Sequence, residues 1–531
     1  HFGQTNDPAL QAYRIKLWLG FIKARQAGVQ PDDIVAASIF TTQSTTAVLE
    51  KIRGQLQAES PEPADFLLGP SGTRTVFARS EVTGIVFDQQ VRANPPSFTT
   101  TPVFLGALPE HGPVGILAFG KYVSPDYQTS EKLIPPVGTR SGVPNVQGAN
   151  EIFFNLFLPS GPPPAAGWPV VIYGHGGTTG KHLDPFLVAH SLAASGLATI
   201  AMNVVGHGGG AAGTLTVSTP SGAVTFPAGG RGVDLNNDGS ITSQEGLNAP
   251  SPYGIIGGRD GLRQTVVDLM QLVRVIEAGV DIHGDGVPDL DPARIYYAGL
   301  SLGGIYGTVF LAVEPHVRAG VLIVPGGPLS EVGRLGSFRS GASLATRVPS
   351  LINVGGTQFN ENMPLRNQPP VINTVPGAIA IQQLFEHREW VSGASDPVAY
   401  AVHLQKQPLK DVPIKPLIVQ FAKGDKTNPN PTTTAMLRAG ELAEQATFYR
   451  HDLAFVANPA VLPKDPHTFL YFNYPVLFSP LVSGIALDAQ AQMAEFLASD
   501  GTLVIDPDGP LPLFEVPIVP PLPEDLDFIP E

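Results

Sequence analysis

Five short apolar runs, each closing on glycines or on a Gly-Asp pair, set the tightest limit on what this chain can fold into. They read "WPVVIYGHGG", "LATIAMNVVGHGGG", "RIYYAGLSLGG", "RAGVLIVPGG" and "KPLIVQFAKGD". Each is too short for a helix and apolar on successive residues, so each predicts a strand buried on both faces. "EIFFNLFLP" precedes them as a further strand, and "ATFYRHDLAF" follows as the last. Helical patterns such as "DPFLVAHSLAASG" and "GLRQTVVDLMQLVRVIEAG" lie between the runs. Apolar strands alternating with helices predict the α/β class: a mostly parallel sheet with helices on both faces.

Two regions and two interruptions follow from this pattern. Residues 1–145 read as a separate N-terminal region of mixed α and β character, and 146–531 as the α/β domain. Asp7-Pro8 is a helix start, with Leu10, Tyr13, Leu17 and Phe21 at helical spacing and Gly28 as a stop. "DIVAASIFTTQ" is strand-like, "TTAVLEKIRGQLQ" is helical, and strands such as "TRTVFARSEVTGIVF" run from Thr73 to about Lys121. Within the α/β domain, 207–260 and 328–412 interrupt the alternation. Insertions that long in a compact domain are usually lids or binding elements. The second holds Leu384, Phe385 and Trp390, apolar enough to line a substrate pocket or to pack in a core.

Composition removes several functions. The formal net charge of −14 disfavours a nucleic-acid partner or an anionic membrane surface. No apolar run approaches the roughly 20 residues of a bilayer-spanning helix. With no cysteine there is no disulfide, thiol nucleophile or zinc–thiolate site. The chain begins at His1 without a leader pattern, which points to a processed or shortened start.

"GLSLGG" places Ser301 between glycines in the Gly-x-Ser-x-Gly pattern of a nucleophile elbow. Chance alone supplies roughly 0.4 such matches in a chain this glycine-rich, so the flanks must decide. They do: a buried strand leads in, and "LGGIYGTVFLAVEP" leads out as a helix. A serine hydroxyl needs a base, a group to orient the base, and donors for the developing oxyanion. His467, in a loop past the final strand, is the first choice of base, with His451 the alternative. Asp425, closing "PLIVQFAKGD", is the acid, while Asp396 has the look of a helix N-cap. The backbone N–H groups of Leu302 and of Gly177, in "YGHGGTTG", are the oxyanion donors. His175 holds that loop, and "GHGGG" at 206–210 is a loop glycine cluster.

"HGG" after an early strand, "GLSLGG" at the elbow, "GD" after a late strand and "PH" near the end resemble, in that order, the α/β-hydrolase superfamily over about 150–500. "FTTQS" at 40–44 is similar to large secreted or surface bacterial lipases and esterases that carry an N-terminal lipase-type domain. The resemblance implies carboxylic-ester hydrolysis through an acyl-enzyme, without an organic cofactor, on a small-molecule, lipid or polyester substrate. A serine peptidase or polyester depolymerase would use the same triad. A non-catalytic, calcium-stabilised surface binding protein is the reading from a different class.

"DLNNDGSITSQE", residues 234–245, fits the EF-hand calcium loop at every position of the motif. Asp234, Asn236 and Asp238 offer side-chain oxygens, Ser240 its carbonyl, Glu245 a closing carboxylate, and Gly239 the sharp turn. Its expected role is to order the 207–260 insertion without taking part in catalysis. A calcium loop of modest affinity fills where calcium is plentiful, which points to a secreted, periplasmic or cell-surface protein. "DIHGDGVPDLD" is a looser match: Asp281, Asp285 and Asp289 could hold a cation, but a plain acidic turn is the stronger reading.

Overall fold

The computed structural model describes residues 6–39, 44–243, 245–247, 253–337 and 378–525. The chain divides into two compact units, His1–Ser44 and Thr45–Glu531. The first contains α1 (Pro8–Gln26), which Asp7 caps by accepting from the N–H of Ala9 at 2.8 Å. None of the residues of α1 is buried. The strand expected in "DIVAASIFTTQ" is not formed over 33–39, where Val35 stands fully exposed. β-branched residues favour a strand only when a neighbouring strand and a packed face are present. Residues 40–43, which carry most of "FTTQS", lie outside the described residues.

The second unit opens with α2 (Ala47–Ala58), then β1 (Val76–Ala78), β2 (Gly84–Arg92), β3 (Ser97–Pro102), β4 (Val114–Asp126) and β5 (Gly148–Pro159). Next come β6 (Trp168–Gly174), α3 (Asp184–Ala194), β7 (Ala198–Met202), β8 (Gly210–Thr219), β9 (Gly222–Pro227) and α4 (Gly254–Ala278). β10 (Leu290–Leu300), α5 (Leu302–Val313), β11 (Gly320–Ile323) and α6 (Leu329–Leu335) follow. After 377 come α7 (Ala378–Ser392), α8 (Pro397–Ala401), β12 (Leu417–Ala422), α9 (Asn430–Gly440) and β13 (Ala446–Tyr449). α10 (His451–Ala457), α11 (Ser483–Ala498) and β14 (Phe514–Glu515) complete it. "ATFYRHDLAF" is therefore strand only as far as Tyr449, and the chain then turns into α10.

The described residues form a ten-stranded sheet in the order β1-β4-β5-β7-β6-β10-β11-β12-β13-β14. From β7 to β13 the neighbours run parallel, and there β7, β11, β12 and β13 are buried at every residue. That burial explains the unbroken apolar runs of the sequence. The chain steps from β6 to β7 in one direction, then from β7 past β6 to β10 and onward in the other. Because such crossovers are right-handed, the reversal sends α3 to one face of the sheet and α4 and α5 to the other. It also opens a crevice between the carboxyl ends of β6 and β10, the point in an open α/β sheet where ligands bind.

The boundary expected near 145 does not exist. β4 and β5 pair antiparallel from Val114↔Pro159 to Asp126↔Gly148, so the break falls between two neighbouring strands of the main sheet. A second, four-stranded sheet, β3-β2-β8-β9, draws two strands from before the break and two from the 207–260 insertion. Its inner face carries Ile85, Phe87, Leu215, Val217 and Phe226, which pack with Phe157 and Phe186. A chain starting at residue 146 would leave the β5 edge unpaired and this second core half-built. It should fail to give a cooperative melt and should bind a hydrophobic dye. A cooperative thermal transition in that shortened chain would refute the shared packing of the strands on either side of residue 145.

Candidate active site

Ser301 sits where β10 ends and α5 begins, with φ 57 and ψ −114. A non-glycine residue in this region is strained and needs close packing to hold it. The packing is visible in the glycines on either side. A Cβ on Gly303 would lie 2.1 Å from the carbonyl oxygen of Gly174, and one on Gly299 would lie 2.5 Å from that of Gly303. α5 can therefore press its backbone onto β6 only because these positions lack a side chain. The Ser301 N–H donates to Ile323 O at 2.8 Å, and Tyr297 Oη donates to Gly303 O at 2.6 Å.

The structure brings Ser301, His467 and Asp425 together. Ser301 Oγ lies 2.7 Å from His467 Nε2, and His467 Nδ1 lies 2.8 and 3.0 Å from the two carboxylate oxygens of Asp425. Asp425 also accepts from the N–H groups of Thr427 and Asn428, both at 2.8 Å. Those bonds fix the carboxylate in the turn after β12. Asp465 shapes the facing loop, accepting from the N–H of Lys426 and of His467. Burial pushes the Asp425 carboxyl above its ordinary range, against the pull of His467. For His467 burial acts downward, but the charge and hydrogen bond of Asp425 outweigh it and leave the imidazole raised.

The rival residues have other work. His451 is buried between Tyr449 Oη at 3.2 Å and Pro463 O at 2.8 Å, and Asp452 pairs with Arg450. Asp396 caps α8 by accepting from Val398 N–H, and it also accepts from Leu329 N–H.

Gly177 and Leu302 line one cavity with Ser301. Leu302 is the first residue of α5, where the N–H has no partner within the helix. Neither the Gly177 nor the Leu302 N–H has an acceptor among the described residues, and the cavity holds about 310 Å³. The Gly177 loop is held from below. Asp184 accepts from Gly176 N–H at 2.8 Å and Thr179 Oγ1 at 2.9 Å, and His175 Nε2 accepts from Val204 N–H at 3.0 Å. Burial first, then the neighbouring His207, lowers His175 to about 3, so it is neutral and structural. His207 Nε2 accepts from Thr178 N–H at 3.3 Å, so "GHGGG" carries a brace for this loop as well as glycines. The roles of Asp184, His207 and Asp465 went unread in the sequence. "LDPF" signals a helix start, and nothing local ties any of the three to a loop elsewhere in the chain.

The cavity is lined by Leu247, Leu262, Ile305, Leu329 and Val332, with Arg259 and Arg388 on its wall. Of the apolar residues read as pocket lining or core, Trp390 is exposed and Phe385 is buried outside the lining; the side chain of Leu384 is outside the described residues. A larger cavity of about 410 Å³, beside Leu417 and Ala446, lies at the opposite ends of the strands from Ser301. No helix among the described residues is long and apolar enough to cross a membrane.

No family profile matches the chain, and no curated protein matches it. Among solved structures it is similar to acetyl xylan esterase 1 from Thermoanaerobacterium sp. JW/SL YS485, at 17% identity over 61% of this chain and 74% of that chain, with a TM-score of 0.32. It is also similar to an acetyl xylan esterase from Paenibacillus sp. R4, at 12% identity over 79% and 95% of the two chains and a TM-score of 0.34. An esterase from Pyrobaculum calidifontis matches at 16% identity over 72% and 85%, with a TM-score of 0.34. Scores of this size add no weight to the strand order, which stands by itself. A mostly parallel sheet covered on both faces, an elbow at the end of β10, and serine, acid and histidine in that chain order make this the α/β-hydrolase fold.

Proposed function

We propose that the chain is a serine hydrolase that cleaves carboxylic esters through an acyl-enzyme. One observation carries the reading: the unbroken hydrogen-bonded line from Ser301 Oγ through His467 to Asp425. His467 Nε2 takes the hydroxyl proton as Ser301 Oγ attacks the ester carbonyl, and Asp425 holds the ring with Nδ1–H toward itself. The carbonyl oxygen gains its negative charge between the N–H groups of Leu302 and Gly177, with the positive end of α5 beneath it. His467 then gives the proton to the departing alkoxide. Water, deprotonated by the same nitrogen, releases the acid and restores the serine.

A cavity of about 310 Å³ lies at the small end of the range for ligand sites. It supports a compact monomeric ester as substrate over a polymer chain. Its apolar lining fits an acyl group.

Ser301→Ala should lower kcat/KM for a short-chain nitrophenyl ester at least about a thousandfold and leave the melting temperature unchanged, since it removes the attacking oxygen and no core volume. His467→Ala should match that loss, and Asp425→Asn should cost somewhat less. A fluorophosphonate should label Ser301 alone; turnover or labelling that survives Ser301→Ala would rule out the assignment.

The pH profile gives a separate test. Only neutral His467 accepts the proton, so kcat/KM rises with pH through its pKa. Because Asp425 raises that pKa, the acid limb should lie above the ordinary histidine value of about 6.5. In Asp425→Asn the downward pull of burial is opposed only by the charge of Asp465, and the limb should move to lower pH as the rate falls. A limb unmoved by that substitution would mean His467 is not the titrating base.

A further inference from the structure

Alternating oxygen-bearing residues in "DLNNDGSITSQE" are folded into one place. A carboxylate oxygen from each of Asp234, Asp238 and Glu245 lies within 4.8 Å of the other two. Three like charges at that spacing repel, and no Lys or Arg among the described residues forms an ion pair with them. Arg92 approaches Gly239 and its charge reaches Asp238, but it forms no ion pair with any of the three.

A second observation points to a ligand. Glu245 is only 8% exposed, and its Oε1 is buried with no hydrogen-bond partner among the described residues. Oδ1 of Asp234 is in the same state. The other oxygen of each is engaged: Glu245 Oε2 accepts from Thr242 N–H at 2.9 Å, and Asp234 Oδ2 accepts from Gly239 N–H at 2.9 Å. One buried carboxylate oxygen left bare costs free energy; two beside each other call for a cation. In the alternative loop, by contrast, Asp281 is satisfied by the N–H groups of His283, Gly284 and Gly286, and Asp289 by that of Ile282. That loop is a hydrogen-bonded turn, and no metal-spaced group forms there among the described residues.

The 234–245 loop is tied to the rest of the fold on both sides. Ile241 N–H donates to Val91 O at 2.8 Å and Ala93 N–H to Gly239 O at 3.1 Å, which pins the loop to β2 and leaves the Ser240 carbonyl out of the pairing. At its exit, a Cβ on Gly246 would lie 2.0 Å from the Cα of Gly206, so the two backbones touch. Gly206 precedes His207, the brace of Thr178 beside Gly177. Ser243 and Leu247 line the cavity of Ser301, and Ile241, Thr242 and Ser243 line a second cavity of about 280 Å³ that shares Thr178 and Ser243 with it. The exit of the loop is thus the partition between the two cavities.

We propose that the side chains of Asp234, Asn236, Asp238 and Glu245, with the Ser240 carbonyl, bind one calcium ion, and that this ion fixes the wall that Ser243 and Leu247 give to the substrate cavity. An all-oxygen set with a main-chain carbonyl and a closing glutamate suits calcium over the smaller, stricter magnesium. The binding site stands independently of the ester-hydrolase reading; its coupling to substrate rests on that reading. The ion touches no reacting atom, so its effect on catalysis belongs to KM and not to kcat.

Calcium titrated into chelator-stripped full-length protein should bind at one site, and melting should rise with the logarithm of calcium concentration. Magnesium should bind at least tenfold more weakly. Stripped enzyme should show a severalfold higher KM for a short-chain ester with kcat changed less than twofold. Glu245→Gln and Asp234→Asn each keep the internal hydrogen bond and should each weaken calcium binding tenfold or more. Having two variants keeps the test open if one fails to fold. Absence of calcium binding, or unchanged affinity in both variants, overturns the site. Binding with KM unmoved overturns its coupling to the cavity. If no ester is turned over and Ser301 resists a fluorophosphonate, the hydrolase reading fails while calorimetry and melting still decide the calcium site.

Discussion

Gly303 lies so close to Gly174 that not even a methyl group fits between them, and the site is organised by that contact. It clamps the first turn of α5 onto β6 and forces Ser301 into φ 57 at the tip of β10. The same closeness brings the loop after β6 within reach of the serine. The proposed nucleophile and oxyanion donors are therefore placed by one backbone crossing. The strain at Ser301 is held by rigid surroundings: β10 is paired on both sides, and the last residues of the strand are buried.

Around this contact each proposed catalytic group stands on a separate, braced turn. Asp425 is fixed by two backbone donors, His467 by Asp425 and Asp465, and the Gly177 loop by Asp184 and His207. None of these braces need touch a substrate. In the proposed reaction their common effect is that little reorganisation is needed when charge develops, which is where an electrostatic site draws most of its rate. The strands that present these turns are mainly apolar; Gln420 of β12 is an exception, its amide donating to Ala489 O and Gln492 Oε1.

The parallel core was legible in the sequence because burial on both faces writes itself as uninterrupted apolar runs. Ser301 and Asp425 were legible because each follows a strand end, and strand ends gather on one side of such a sheet; His467, eighteen residues past β13 and beyond α10, was legible from its chain order after them. What stayed hidden depends on distant pairing. β4 carries "VGILAFGKYVSPD", interrupted by Gly120, and nothing local says that it lies beside β5. Val35 shows the reverse error: a β-branched residue in a strand-like run with no strand to join. Asp184 and His207 read as a helix start and a loop residue, because their partners are eight and twenty-nine residues away on other turns.

The interleaved second sheet also sets an order of events during synthesis. Thr83 and Ser218, bonded across the β2–β8 pair, are separated by 135 residues of chain. At ribosomal rates of about 5–20 residues per second, the β2–β3 hairpin waits roughly 7–27 s for its partner strand. Throughout that interval Ile85 and Phe87 have no Leu215 or Val217 to cover them, and the inner edge of β2 is open. The nascent chain thus carries an adhesive ribbon long before the part that covers it leaves the ribosome. Its yield in a cell depends on what shields that ribbon in the meantime.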